Sequence, residues 1–172
     1  MDKQSQPSDE MQKLADLIDE THIAMLTTLE PDGSLRSRPL ATRQFDSEGN
    51  LWFFTSLTSP KAKEIERDPH VNLAYANPKR MDYVSVSGTA ELIRDRAKMK
   101  ELWTPWIKPW FPNGLDDPDL ALLRVSVDYA EYWDAPGSTA KQVYGLAKAV
   151  STGKTDALGE HGKVRSPGRP NA

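Results

Sequence analysis

Two short stretches of this 172-residue chain carry side chains that could do chemistry together. In Leu35-Arg36-Ser37-Arg38-Pro39-Leu40, the two-residue period of an extended strand places Arg36, Arg38 and Leu40 on one face. With Leu40 turned toward a core, Arg38 begins within or beside it. A guanidinium there is costly unless it meets an anion, and its planar fork suits a carboxylate or a phosphate. The second stretch, Phe54-Thr55-Ser56-Leu57-Thr58-Ser59-Pro60-Lys61, gathers four hydroxyls and a lysine at a strand end and helix start. Free backbone N–H groups at such a place already favour an anion. Together the stretches offer one bidentate cation, one point cation and several hydroxyl donors, the complement of a phosphate monoester. The residues alone admit a plainer reading as well: an arginine paired with an internal aspartate, and an ordinary Ser-Pro helix cap.

Other chemistries find less support. The chain has no cysteine, which excludes a disulfide scaffold, a thiolate zinc site, an iron–sulfur cluster and a cysteine nucleophile. His22, His70 and His161 lie far apart, each read as lone, without a nearby carboxylate or histidine at ligand spacing, and as a surface or capping residue, so no metal site is expected. There is no nucleophile elbow, no Gly-x-Gly-x-x-Gly and no phosphate-binding Gly-x-x-x-x-Gly-Lys run. A net charge of −3 gives no positive field to draw nucleic acid. No run of eighteen apolar residues suggests a membrane span, and the polar, partly acidic start lacks the pattern of a secretory leader; a cytoplasmic protein is expected. The segment Trp103–Pro112 combines three tryptophans with three prolines. It could lid a core, stack on a planar ligand or pack against a second subunit, as amphipathic aromatics do.

The elements that must position these residues are mostly strands. Residues 11–21 follow a helical period with Asp9 as a candidate N-cap. Residues 23–44 read as a β-hairpin about the turn Glu30-Pro31-Asp32-Gly33. A strand is expected over 51–55, a helix over 60–67 opened by Ser59 and Pro60, and strands over 71–76 and 83–93. A charged helix over 95–103, an irregular proline-rich stretch, a strand over 120–133 and a helix over 139–150 complete the pattern. Residues 1–9 are expected to be a flexible start, 10–150 one domain, and the Gly- and Pro-containing 151–172 a flexible tail whose removal leaves folding intact. Short turns between about six strands, with helices at start, middle and end, predict a mainly β fold built on a small antiparallel barrel.

The ordered set of motifs resembles a known family. Arg38-Pro39-Leu40, then Leu51-Trp52-Phe53-Phe54-Thr55-Ser56, then Ser59-Pro60-Lys61-Ala62, is similar to the FMN-binding split-barrel superfamily of pyridoxamine 5′-phosphate oxidase. Trp110-Phe111-Pro112, Asp116-Asp117-Pro118 and Glu131-Tyr132-Trp133-Asp134 look like its bacterial general stress protein branch. The resemblance covers about residues 10–150 and implies an antiparallel Greek-key split barrel that forms a homodimer with FMN at the subunit interface. It implies Arg38 and Lys61 as phosphate ligands, with Phe54, Thr55, Ser56 and Ser59 at the strand end and helix start beside the ribityl-phosphate. Pro39 and Leu40 would supply backbone along the flavin ring, Arg43 would stand near that ring, and Trp106 and Trp110 would reach toward the partner's flavin. Departures from the oxidases are also legible: Pro60 replaces an arginine, Tyr83 stands where a glutamine is common, and no arginine precedes His161 by two residues. The oxidases' own substrate is therefore not expected. What the resemblance leaves is a flavin-dependent oxidoreductase of unnamed catalytic residues, a non-catalytic protein that stores or senses flavin, or a deazaflavin-dependent reductase.

Overall fold

The computed structural model describes residues 7–134, 148, 150 and 160–165. Helix α1 (Pro7–Thr21) leads into strands β1 (Ile23–Leu29), β2 (Leu35–Phe45) and β3 (Asn50–Ser56), an antiparallel meander. Gly33 at φ +86° and Gly49 at φ +82° close its two turns, in a backbone region that glycine enters without steric cost. Helix α2 (Pro60–Arg67) then carries the chain across, so that β4 (His70–Asn77) pairs with β1 rather than with β3. That crossover is the Greek-key step. Strand β5 (Asp82–Ile93) pairs with β4, and β6 (Leu120–Asp134) pairs with β5. Residues Leu120–Ser126 of β6 return to β3, which closes a six-stranded antiparallel barrel. Closure removes the strand edges that an open sheet would leave exposed.

Strand parity divides the apolar residues into two clusters. Leu51 and Phe53 point inward with Leu26, Leu73, Tyr75, Val86, Leu123 and Val125, and α1 adds Leu14, Leu17 and Ile18 to the same cluster. Trp52 and Phe54, on the opposite face of β3, belong to an outer cluster with Leu120 and Leu122. Helix α3 (Arg96–Leu102) covers this outer cluster with Met99 and Leu102, and the segment after it adds Ile107 and Phe111. The three prolines there were expected to forbid regular structure. A 3-10 turn nevertheless forms over Pro105–Ile107, because proline at its first position removes only an N–H that had no partner to meet.

Three expectations need correction. Asp9 lies inside the first turn of α1, which starts at Pro7 and not at an Asp9 cap; its carboxylate still favours that helix end. Part of the expected flexible tail is ordered: Glu160–Arg165 forms β7, antiparallel to Tyr129–Asp134 of β6. Val164 is buried in the interior cluster, and Gly162 lies so close to the Tyr132 ring that any Cβ there would collide with it. One valine among polar and charged neighbours gave no strand signal, because β6 supplies the apolar surface this strand needs. Finally, two histidines read as lone are partnered by carboxylates, His70 Nδ1 by Asp68 Oδ1 at 2.8 Å and His161 Nε2 by Glu131 Oε1 at 2.5 Å. The helix expected over 139–150 falls, apart from Lys148 and Val150, outside the described residues.

Candidate functional site

The structure brings Arg38 of β2 and Lys61 of α2 into one electrostatic neighbourhood. Arg38 shares the face of Leu40 and Thr42, which turn toward the barrel interior, and only 17% of its side chain is exposed. Its Nη2 donates to Glu64 Oε2 at 2.8 Å, and its Nη1 donates to Thr28 Oγ1. Thr28 Oγ1 in turn donates to the same Glu64 oxygen at 2.5 Å. So the arginine does carry an internal carboxylate, although a glutamate rather than the aspartate of the plainer reading. Burial pushes the Glu64 carboxyl up, but the Thr28 hydrogen bond and the Arg38 charge outweigh it and hold it below the ordinary value of 4.5. Lys61 moves the other way. Burial and the Arg38 charge lower its pKa, against the pull of Glu64 and Asp119.

Asp119, just before β6, organises the opposite wall. It accepts from Ser56 Oγ, from the Thr58 backbone N–H at 2.8 Å and from Thr58 Oγ1 at 3.2 Å. The Ser56 hydrogen bond is the main reason its carboxyl lies below the ordinary 3.8. Ser59 is the N-cap of α2, as its sequence position predicts: its backbone is extended at φ −67° and ψ 149°, and its Oγ accepts from Ala62 N. Arg38, Lys61, Ser56, Thr58 and Ser59 thus surround the N-terminal end of α2 and the exit of β3. Two cations and two carboxylates cancel formally, so this cradle would attract an anion by aimed donors rather than by net charge.

Among the described residues, buried polar atoms with no hydrogen-bond partner include Thr55 Oγ1, next to Ser56 on β3 and on a residue 3% exposed, and Arg43 Nε, further along β2 from Arg38. Orphaned buried polar atoms are rare in folded proteins and call for an external partner. The chemistry of the donor set fits a phosphate with an adjoining polar chain. Phe54 packs edge-to-face on Trp103, with ring centroids 5.8 Å apart, and so belongs to the outer cluster. Trp106 and Trp110 do not join the cradle within this chain; they are 83% and 75% exposed on the outer side of the covering segment. Pro39 is exposed on the outward face of β2, opposite Met25 of β1.

That outward face continues across four strands. Rows run from Pro39 through Met25 and Ala74 to Ser85, and from Ala41 through Ile23 toward Ala76 and Tyr83. No Asp, Glu, Lys or Arg occupies these positions, and Ile23, Met25 and Tyr83 are each at least 40% exposed. Beyond β5 the face turns polar: Trp133 stacks on His161 at 5.4 Å, flanked by Glu131 and Lys163. Sequence reasoning missed Thr28, Glu64 and Asp119. Only Glu64 left a signal, since it lies three residues after Lys61 and therefore on the same helical face.

The profile of the pyridoxamine 5′-phosphate oxidase-like family matches residues 9–157. Protein bli-3 of Neurospora crassa is 31% identical over 156 residues, which cover 83% of this chain and 75% of that protein. Among solved structures, a general stress protein 26 of Jannaschia sp. CCS1 superposes with a TM-score of 0.75 at 28% identity, covering 92% of this chain and 99% of that one. The general stress FMN/FAD binding protein of Xanthomonas citri superposes with a TM-score of 0.64 at 30% identity, covering 74% and 89%. The closed Greek-key barrel, the cradle on its crossover helix and the extent of these matches agree: the chain belongs to the pyridoxamine 5′-phosphate oxidase-like family.

Proposed function

We propose that this protein binds FMN, with the flavin phosphate in the cradle formed by Arg38 and Lys61. The observation that carries the reading is Arg38 bonded to Glu64, one helical turn from Lys61 on α2, with Ser59 capping that helix and Ser56 and Thr58 gathered on Asp119 at its mouth. In this reading Arg38 supplies the planar fork, Lys61 the point charge, and Ser56, Thr58 and Ser59 hydroxyl and backbone donors. Thr55 Oγ1 and Arg43 Nε gain partners along the ribityl chain and near the ring edge, and Pro39 and Leu40 lie along the ring. The Xanthomonas citri relative, named for FMN/FAD binding, supports a flavin as ligand.

The uncharged outward face of β2, β1, β4 and β5 supports a homodimer with flavin at the interface, Trp106 and Trp110 meeting the partner's site. An exposed apolar surface of this kind is a normal mark of subunit contact. Bound flavin supplies hydride and single-electron transfer at its N5; the chain positions it and limits water around it. An FMN-dependent oxidoreductase is the class proposed if the protein turns over. A flavin store or sensor is the second reading, favoured by His161, which is occupied with Glu131 and Trp133 rather than preceded by an arginine two residues earlier.

Tryptophan fluorescence titration with FMN, FAD, riboflavin and a deazaflavin cofactor tests the ligand. FMN binding well above riboflavin binding supports the cradle; equal affinities remove the phosphate from the argument. Anaerobic stopped-flow mixing with NADH or NADPH separates enzyme from store: reduction no faster than that of free FMN favours the store.

A further inference from the structure

Glu64 is a carboxylate set where the chain gathers donors for an anion. Buried to 6% exposure, it would be costly there without compensation. The compensation is a closed ring of three hydrogen bonds: Thr28 Oγ1 to Glu64 Oε2, Arg38 Nη2 to the same oxygen, and Arg38 Nη1 to Thr28 Oγ1. Thr28 is 1% exposed, so water does not compete for the ring. A guanidinium carries five N–H groups, and the ring engages one on each Nη. Among the described residues the others, Nε–H included, make no hydrogen bond. Glu64 also lies three residues after Lys61, so one turn of α2 fixes both the lysine and the carboxylate that anchors the arginine.

We propose that Glu64 is a positioning residue for anion recognition. It grips Arg38 from the interior side, through Thr28 and directly, so that the remaining guanidinium N–H groups and Lys61 meet a phosphate without further ordering. Preorganised donors bind more tightly because less side-chain freedom is lost on contact. The inference rests on the reading of the cradle as a phosphate site and adds a residue that does not itself touch the phosphate.

Charge alone makes the opposite prediction, which gives the test its sign. Removing a carboxylate from beside two cations should tighten binding of an anion if Glu64 merely competes for Arg38. If Glu64 positions Arg38, binding loosens. For Glu64→Ala and, as a milder variant, Thr28→Val, the FMN dissociation constant should rise about ten- to hundredfold and about threefold respectively. Riboflavin, which lacks the phosphate, should bind each variant as it binds the natural chain. Glu64→Asp should recover part of the loss. Tighter FMN binding by Glu64→Ala, or equal losses for FMN and riboflavin, would overturn the proposal. A readout that needs no flavin keeps it separate from the functional reading. The 15N heteronuclear NOE of the Arg38 Nε–H, assigned with Arg38→Lys, should be high in the natural chain and fall in Glu64→Ala. A guanidinium equally ordered in both would refute Glu64's role even if FMN binds, whereas failure of the natural chain to bind FMN would count against the functional reading alone.

Discussion

Replacing Arg38 by alanine perturbs two things at once, and the structure predicts how to separate them. Arg38 and Glu64 are 17% and 6% exposed, so deleting the cation leaves a buried carboxylate held only by Thr28. Breaking a buried pair in this way costs about 3–5 kcal/mol. For a chain of this size that corresponds to a fall in Tm of about 6–20 °C. The pH dependence should change sign too. In the natural chain Glu64 titrates below its ordinary 4.5, so its contribution is fully present above that pH and is lost as pH falls through the lowered value. Burial is already the largest single influence on Glu64, and without Arg38 it is opposed chiefly by the Thr28 hydrogen bond; the carboxyl is then expected to titrate above its ordinary value, and Arg38→Ala should lose stability as pH rises from 5 to 7. The double variant Arg38→Ala/Glu64→Gln removes the stranded charge and should recover most of the stability. The direct loss of FMN affinity, about 1.5–3 kcal/mol for a charge-assisted contact, should persist in both. Urea unfolding followed by tryptophan fluorescence at pH 5, 6 and 7, with FMN titration of each folded variant, measures both quantities. An Arg38→Ala protein as stable as the natural one at pH 7, or a double variant no more stable than the single, would refute the buried-pair argument. An unchanged FMN dissociation constant would remove Arg38 from the site.

Three further outcomes are expected. Asp119→Asn keeps the shape but weakens the acceptor for Ser56 and Thr58; because Asp119 titrates below 3.8, the natural chain but not the variant should lose that contribution as pH falls through the lowered value, as hydrogen exchange at the Thr58 amide would report. Gly162→Ala should drive β7 off the barrel through its clash with Tyr132, and Val164→Ala should cost about 1–3 kcal/mol, both checked by denaturant unfolding. Ala74→Arg places a charge in the middle of the uncharged outward face and should convert a dimer to a monomer in size-exclusion chromatography with light scattering; a chain already monomeric would refute the dimer face.

Most of the barrel was legible because its strands state their own pattern. In β5, Val84, Val86 and Gly88 alternate with Ser85, Ser87 and Thr89, and the inward set is the buried set. The turns at Gly33 and Gly49 announce themselves through proline, aspartate and glycine chemistry. Helix α2 was bounded correctly because Ser59 and Pro60 cap it. β7 was not legible: its burial is supplied by a strand some thirty residues earlier, and a single valine carries no period. Of the cradle, Arg38, Lys61 and the hydroxyls stood out by type and spacing, while Thr28 and Asp119 enter only through pairings that a linear reading cannot see. Glu64 on its charged helix resembled any solvated acid until Arg38 was found against it.

The fifteen residues of β6 serve two different neighbours along one side, β3 over Leu120–Ser126 and β7 over Tyr129–Asp134. The hoop therefore shuts over its lower half through β3, while along its upper half β6 is covered by the late strand, which pairs with no other strand among the described residues. Trimming by a carboxypeptidase that passed residue 160 would leave the lower hoop intact while baring a run of unsatisfied amides and carbonyls along Tyr129–Asp134. Such clipped molecules should clump rather than melt, each borrowing a neighbour's strand to cover the gap.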